Sequence, residues 1–279
     1  MASEPITRNR EEFARILLAA GAFIRIKPVS LLMNAPRIFT FGRTTVTQPT
    51  KPNTAAVAAH AVSLISENTV VGLGTGAAAT AFIEALGARV QAGFKIRGVP
   101  TSDVSAALAQ KLGIPLVSFE DVDFIDVTVD GADEIDPAGD LIKGYGGALV
   151  REKVVAAYSR KFVIVAGSEK VVPVIGSRGK LPVEVVPFAL TPTRKHIEKL
   201  GFPTEPRMKD GKLFVTDNGN YILDCKITPL PDAAATERTL LNIPGVVDTG
   251  LFLKRAHVVL IQNGDAVEVR RGSAGERPT

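Results

Sequence analysis

Tryptophan is absent from the 279 residues, cysteine occurs once and histidine three times. Each shortage excludes something. With Cys225 as the sole cysteine there can be no internal disulfide framework, and its apolar setting, YILDCKI, reads as a buried thiol suited to a reducing compartment. His60, His196 and His257 are scattered and lack the His/Cys spacing of a metal centre, so each reads as a surface or boundary residue. No apolar run approaches the roughly 20 residues needed to span a bilayer, which predicts a soluble protein with no membrane partner. The formal net charge is only +4, and no basic run is interleaved with aromatics, so nucleic-acid binding has little support. What the chain has in quantity is alanine, valine and glycine, a composition suited to a buried parallel sheet.

Residues 1–50 differ from the rest. No acidic residue occurs from Phe13 to Lys51, while Arg15, Arg25, Lys27, Arg37 and Arg43 punctuate apolar stretches, as in organellar transit peptides. Glu4, Glu11 and Glu12 run against that reading, and a translation start set too far upstream fits equally. Pro28, Pro36 and Gly21 interrupt any long amphipathic helix, so a poorly ordered extension is expected.

Beyond it, strand and helix alternate. Thr54 to Ser66 reads as an alanine-rich helix, Thr69 to Leu73 as a strand and Ala77 to Leu86 as a second helix, with Gly72, Gly74 and Gly76 at the turn. Such a turn suits an anion. Gln91 to Arg97 carries no acidic residue to hold a nucleotide ribose, so a phosphosugar fits the turn better than a dinucleotide. Lys95 to Val99, Ile114 to Val117, Phe124 to Val129 and Phe162 to Ala166 read as further strands, with Val104 to Leu112 as a helix among them. This order predicts an α/β fold built on a doubly wound, Rossmann-like parallel sheet over residues 52–178 and 251–275. Between those segments, residues 179–250 read as a smaller α+β domain. It has a strand at Leu181 to Val185, a helix at Thr193 to Leu200, and a hairpin pairing Lys212–Val215 with Tyr221–Asp224 around Asn218-Gly219. A helix at Ala233 to Asn242 and a strand at Val246 to Leu251 follow, and the cleft is expected between the two domains.

The chemistry concentrates in DVTVDGADEIDPAGDLIKGYGGALVREKVVA, Asp126 to Ala156. Asp130 closes a strand at the sheet edge where ligands bind in open α/β folds. Asp133, Glu134 and Asp136 follow, then Lys143 ahead of Gly144, Gly146 and Gly147, whose amides can approach an anion or a sugar closely. A helix from Ala148 to Tyr158 is expected to turn Val150, Val154 and Val155 to the core and to carry Arg151, Glu152 and Lys153 in its first turns. A carboxylate pair and a lysine suit proton transfer next to a carbonyl, with the ammonium stabilising an enediolate. On spacing alone a solvated acidic turn fits as well, and Lys170, after the Phe162 strand, reads as an ordinary loop lysine.

The segments DGADEID, LIKGYGGALVREK and LPVEVVP resemble ribose-5-phosphate isomerases of type A. VVGLGTG at Val70 to Gly76, PTSD at Pro100 to Asp103, VTDNGNYILD at Val215 to Asp224 and IPGVVDTGLF at Ile243 to Phe252 agree in order and spacing, so the resemblance covers about residues 52–270. It implies interconversion of D-ribose 5-phosphate and D-ribulose 5-phosphate in the non-oxidative pentose phosphate pathway, by a cytoplasmic homodimer with no metal or organic cofactor. Carried over residue by residue, it makes Glu152 the base between C2 and C1. Asp130 handles hydroxyl protons, Asp133 assists ring opening or holds hydroxyls, and Lys143 stabilises the enediolate. Thr75, Gly76, Ala77, Ala78 and Lys170 fall where the family holds phosphate, and Gly131, Ala132, Gly144, Tyr145 and Gly146 where it holds the sugar.

Three departures stand out. Ala77 and Ala78 replace hydroxyl residues of a TGST motif, Tyr145 interrupts an all-glycine run, and Gly167 replaces an aspartate. A lost hydrogen bond to a charged partner costs about 1.5–3 kcal/mol, which raises KM without abolishing chemistry. A non-catalytic sugar-phosphate sensor, or an isomerase of a different sugar phosphate, remains the alternative reading. A deaminase or acyl-CoA transferase relative could share the sheet and the glycine turn, but the chain carries no catalytic signature of either.

Overall fold

The computed structural model describes residues 54–274. The extension expected over residues 1–50 lies outside them. In chain order, α1 (Ala55–Ser63), β1 (Thr69–Leu73), α2 (Ala77–Gln91), β2 (Ile96–Pro100), α3 (Asp103–Lys111) and β3 (Ile125–Asp130) come first. Two short strands, β4 (Glu134–Ile135) and β5 (Leu141–Ile142), precede α4 (Leu149–Ala157) and β6 (Ser159–Gly167). Next are β7 (Lys180–Val185), α5 (Leu190–Lys199), β8 (Thr204–Pro206), β9 (Met208–Lys209) and β10 (Lys212–Leu213). The chain closes with β11 (Tyr221–Lys226), α6 (Ala233–Leu241), β12 (Val246–Thr249), β13 (Leu251–Phe252), β14 (Val258–Asn263) and β15 (Ala266–Arg271).

The main sheet has six strands in the order β15-β14-β6-β3-β1-β2. All neighbours pair in parallel except the antiparallel edge strand β15. Residues of β6 show why both faces are covered. Val163 and Val165 join one buried cluster with Phe82, Ile83 and Leu86 of α2, while Phe162, Ile164 and Ala166 join another with Leu141 and Phe252. Strand side chains alternate between faces, so a continuous apolar run such as Phe162–Ala166 demands cover on both sides. In α2, Ala79, Phe82, Ile83 and Leu86 recur at helical spacing and form its buried stripe.

A separate antiparallel sheet runs β12-β7-β11-β8. Its Leu181, Val183 and Val185 alternate inward to meet Leu223 and Cys225, with Ile197 of α5 and Leu240 of α6 over them.

Two sequence expectations fail here. Ile114–Val117 forms no strand; Leu116 makes only an isolated bridge to Gly98, because the segment meets the sheet beyond edge strand β2 and leaves it at once. The hairpin pairing is also different. β10 pairs with β9, and β11 pairs along its length with β7, leaving only a Val215–Tyr221 bridge around the Asn218-Gly219 turn. The apolar face of β11 is better covered against β7 and two helices than against a two-stranded ribbon.

Candidate active site

The C-terminal ends of β1, β3 and β6 meet at one edge, and the loops leaving them enclose a cavity of about 180 Å³. Thr75 to Ala78, Gly131 to Asp133, Lys143, Gly144, Gly146, Glu152 and Lys170 all line it. Every lining residue belongs to the span 54–170, so the cleft is a feature of the main-sheet edge, not of the boundary expected between two domains. The loop carrying Lys143 folds back over that edge through β4 and β5, which closes the space locally.

Asp130 is fully buried at the end of β3. Its Oδ1 accepts the backbone N–H groups of Thr75 (3.0 Å) and Gly131 (2.7 Å), which fixes the carboxylate and points Oδ2 the other way. Gly74 makes this possible, since a Cβ there would collide with the Asp130 carboxylate and its Cα. On the far side, Lys143 donates to the Gly131 carbonyl at 2.6 Å. Its ammonium lies 3.1 Å from Asp130 Oδ2 and 3.4 Å from Glu152 Oε2. Beyond those ion pairs, neither of these two buried oxygens has a hydrogen-bond partner among the described residues. A carboxylate oxygen held by an ion pair alone keeps capacity to accept a further hydrogen bond; Glu152 and Lys143 line the cavity, and Asp130 stands directly behind Lys143.

Glu152 comes from the first turn of α4, whose surface differs from the expected one. Val155 is buried as expected, but Val154 is 40% exposed, while Glu152 and Lys153 are 3% and 6% exposed. The helix presents its charged pair to the interior because each finds a partner there. Lys153 donates to Asp248 (2.5 Å) and to the Thr249 carbonyl (2.8 Å), while Glu152 meets Lys143.

Two carboxylates and one ammonium at such separations carry a net negative charge when all are ionised, an unfavourable state in a dry interior. Burial, with the Asp130 and Asp133 carboxylates adding to it, pushes Glu152 up to about 8 against the pull of Lys143. Burial likewise raises Asp130, opposed by Lys143 and the two amides. Burial works against the Lys143 ammonium, but Asp130, Glu152 and Asp133 more than offset it and hold its pKa above the ordinary lysine value. With both carboxyl groups raised, the cluster favours a proton shared between Asp130 and Glu152 beside a charged lysine.

The other expected residues divide. Asp133 lines the cleft and accepts the Tyr145 N–H at 2.9 Å. Tyr145 does not line it. Its hydroxyl donates to the Lys180 carbonyl at 3.1 Å and its ring lies 4.0 Å from the Lys180 ammonium, so the side chain leaves the cleft for the antiparallel sheet. There the ring packs against the buried cluster of that sheet. Gly76, with φ of 104°, opens α2 in a conformation that few residues other than glycine adopt, and the first-turn amides of the helix have no intrahelical partner. Thr75 lines the cleft, yet its hydroxyl sits 2.7 Å from that of Thr101 and 2.8 Å from that of Ser102. With Ser105, which donates to the Gly74 carbonyl at 2.6 Å, these hydroxyls pin the turn from behind. Sequence reasoning missed Glu169 and Thr54, which also line the cleft. Glu169 adjoins Lys170, and that adjacency is the one signal that would have found it.

The profile of Ribose 5-phosphate isomerase A (phosphoriboisomerase A) matches residues 97–266. A ribose-5-phosphate isomerase A from Thermosynechococcus vestitus is 46% identical over 210 residues, covering 74% of this chain and 89% of the relative. The solved ribose 5-phosphate isomerase from Plasmodium falciparum superposes with a TM-score of 0.76 at 36% identity, over 78% of this chain and 97% of that one. A D-ribose-5-phosphate isomerase solved in complex with phospho-erythronic acid gives a TM-score of 0.75 at 35% identity, over the same shares. With a family profile spanning more than half of its length and relatives matched almost end to end, this chain belongs to the ribose 5-phosphate isomerase A family.

Proposed function

We propose that the protein interconverts D-ribose 5-phosphate and D-ribulose 5-phosphate through an enediolate, with the opened sugar lying along the cleft from Glu152 to Lys170. The observation that carries this reading is the buried pair of carboxylates, Asp130 and Glu152, held around one Lys143 ammonium, with Lys143 and Glu152 lining the cavity.

Glu152, in its ionised form, takes the proton from C2 and returns it to C1. The electron pair of the broken C–H bond moves into the C1–C2 bond while the C1 carbonyl oxygen gains negative charge, and Lys143 stabilises that oxygen. Asp130 passes the proton between the two oxygens, its backbone N–H bonds keeping Oδ2 aimed at the site. Asp133, tied to the Tyr145 amide, holds hydroxyls or assists ring opening. At the other end, the first-turn amides of α2 and Lys170 receive the phosphate, helped by the helix dipole. Gly131, Ala132, Gly144 and Gly146 form the walls, where bare backbone lets the sugar approach. Tyr145 acts only through its backbone.

The division into a catalytic domain, residues 52–178 with 251–275, and a smaller one, 179–250, is carried with the proposal: the antiparallel sheet has a buried cluster of its own, which Ile142, Val172, Ile175 and Leu251 also join. The homodimeric, cytoplasmic reading is carried with the proposal, and a solution mass of twice the 29.5 kDa chain would support the dimer. The deciding experiment is formation of ribulose 5-phosphate by purified protein with no added metal. Turnover is expected; binding of ribose 5-phosphate with no turnover would leave a sensor instead.

A further inference from the structure

The phosphate end of the cleft contains a group of the wrong sign. Glu169 lines the cavity together with Gly167 and Lys170. Its carboxylate fills the space that a Cβ on residue 167 would occupy. The backbone at Gly167 is ordinary and extended, with φ of −80° and ψ of 160°, so conformation does not call for glycine there. What the glycine supplies is room. The Arg178 guanidinium donates to the Glu169 carbonyl and pins the backbone of the residue, leaving its side chain to curl over Gly167. Neither Glu169 nor Lys170 forms an ion pair among the described residues, so neither side chain is held in direct contact with an opposite charge.

We propose that Glu169 is a specificity-determining residue: seated in the room left by Gly167, its carboxylate opposes an anion at this end of the cleft and sets how strongly a phosphorylated sugar is preferred over an unphosphorylated one. The inference rests on the isomerase reading for its substrate, but its anion chemistry can be probed without turnover. A carboxylate within several ångströms of a phosphate dianion, in a partly solvated cleft, weakens binding by roughly threefold to tenfold. The same side chain leaves a neutral sugar end almost untouched. Ala77 and Ala78, which supply no hydroxyls, act in the same direction, so the anion end is weakened from both walls.

The test uses the full-length protein and two variants, Glu169→Gln and Gly167→Ala. Glu169 is exposed and Gly167 has an extended backbone, so both variants are expected to fold. Three quantities are measured: KM for ribose 5-phosphate, kcat/KM for unphosphorylated ribose, and the calorimetric Kd for inorganic phosphate. Glu169→Gln is expected to lower KM for ribose 5-phosphate and Kd for phosphate by about threefold to tenfold, with ribose changed less than twofold. Gly167→Ala, whose new Cβ takes the carboxylate's place, shifts both in the same direction and adds nothing in the Glu169→Gln background. Phosphate constants within twofold of wild type, or a ribose response as large as that of ribose 5-phosphate, would overturn the inference. Tighter phosphate binding in a protein with no turnover would keep the role of Glu169 and reject the isomerase reading, and turnover with unmoved phosphate constants would do the reverse.

Discussion

The two ends of the cleft are built on opposite principles. At one end Asp130, Lys143 and Glu152 are at most 3% exposed, and the Lys143 ammonium is the direct counter-charge of both carboxylates. At the other, Gly76, Ala77 and Gly167 offer backbone and little else, and Glu169 and Lys170 reach partly into solvent. Buried charges interact strongly and tolerate no missing partner, whereas backbone donors and screened side chains change a binding constant by modest factors. Substitution at the buried end is thus expected to cost catalysis or folding, and at the open end only affinity.

The largest effect is expected from Glu152→Gln. The amide keeps the shape and can accept from Lys143, but it cannot take a proton from carbon, so kcat falls by about 10²–10⁴ while ribose 5-phosphate still binds. Turnover near the wild-type level would show that the base lies elsewhere. Lys143→Met comes next, because it leaves two buried carboxyl groups without a counter-charge. A loss of about 3–5 kcal/mol in stability is expected at pH 9, shrinking in mild acid as the carboxyls take up protons. Equal destabilisation at both pH values, measured by denaturant unfolding, would mean that packing and not charge is the cause.

A third expectation concerns pH. Because burial pushes Glu152 up to about 8, its basic form gains population as pH rises, so kcat/KM increases toward pH 8 and levels off above it. A profile already flat from pH 6 to 9 would contradict the assignment. The stability consequence has the opposite sign. In the fold this carboxyl holds its proton above the value of 4.5 that it has in the unfolded chain, so its contribution is complete below that value and is lost as pH climbs to about 8. Glu152→Gln does not titrate, so its melting temperature should gain on that of wild type across this window, and a constant difference would count against the raised pKa.

How far the sequence discloses such a site depends on the range over which each signal acts. The parallel sheet is legible because runs such as Phe162–Ala166 need cover on both faces, and the β1–α2 turn because Gly74 and Gly76 are demanded locally. Asp130, Lys143 and Glu152 are legible as chemistry, and the family resemblance orders them into roles. Their shared proton is not, since it arises from burial contributed by three separate segments. Tyr145 is misread for a related reason. Its neighbours in sequence line the cleft, but Lys180, 35 residues away, accepts its hydroxyl. Val154 fails likewise, because helical spacing cannot foresee that Lys153 finds Asp248, 95 residues on, and takes the buried place. The partner of β11 is also settled by distant chain, through β7.

The smallest expected effect on turnover belongs to the open end, where Ala77→Ser is combined with Ala78→Thr. The α2 N-terminus already provides amides and a favourable dipole, so added hydroxyls contribute hydrogen bonds to a phosphate that is bound in any case. Such bonds act alike on ground state and transition state, so their influence falls on KM, by about tenfold to a hundredfold for each bond made to the charged phosphate, and leaves kcat little changed. A similar gain in Kd for inorganic phosphate would place the anion at this turn independently of turnover. If both constants instead rise or stay fixed, the anion of the natural substrate does not bind over Ala77 and Ala78. The cleft would then accept a different sugar phosphate, while the proton chemistry at Glu152 would stand unchanged, because nothing in its buried cluster depends on how the far end is held.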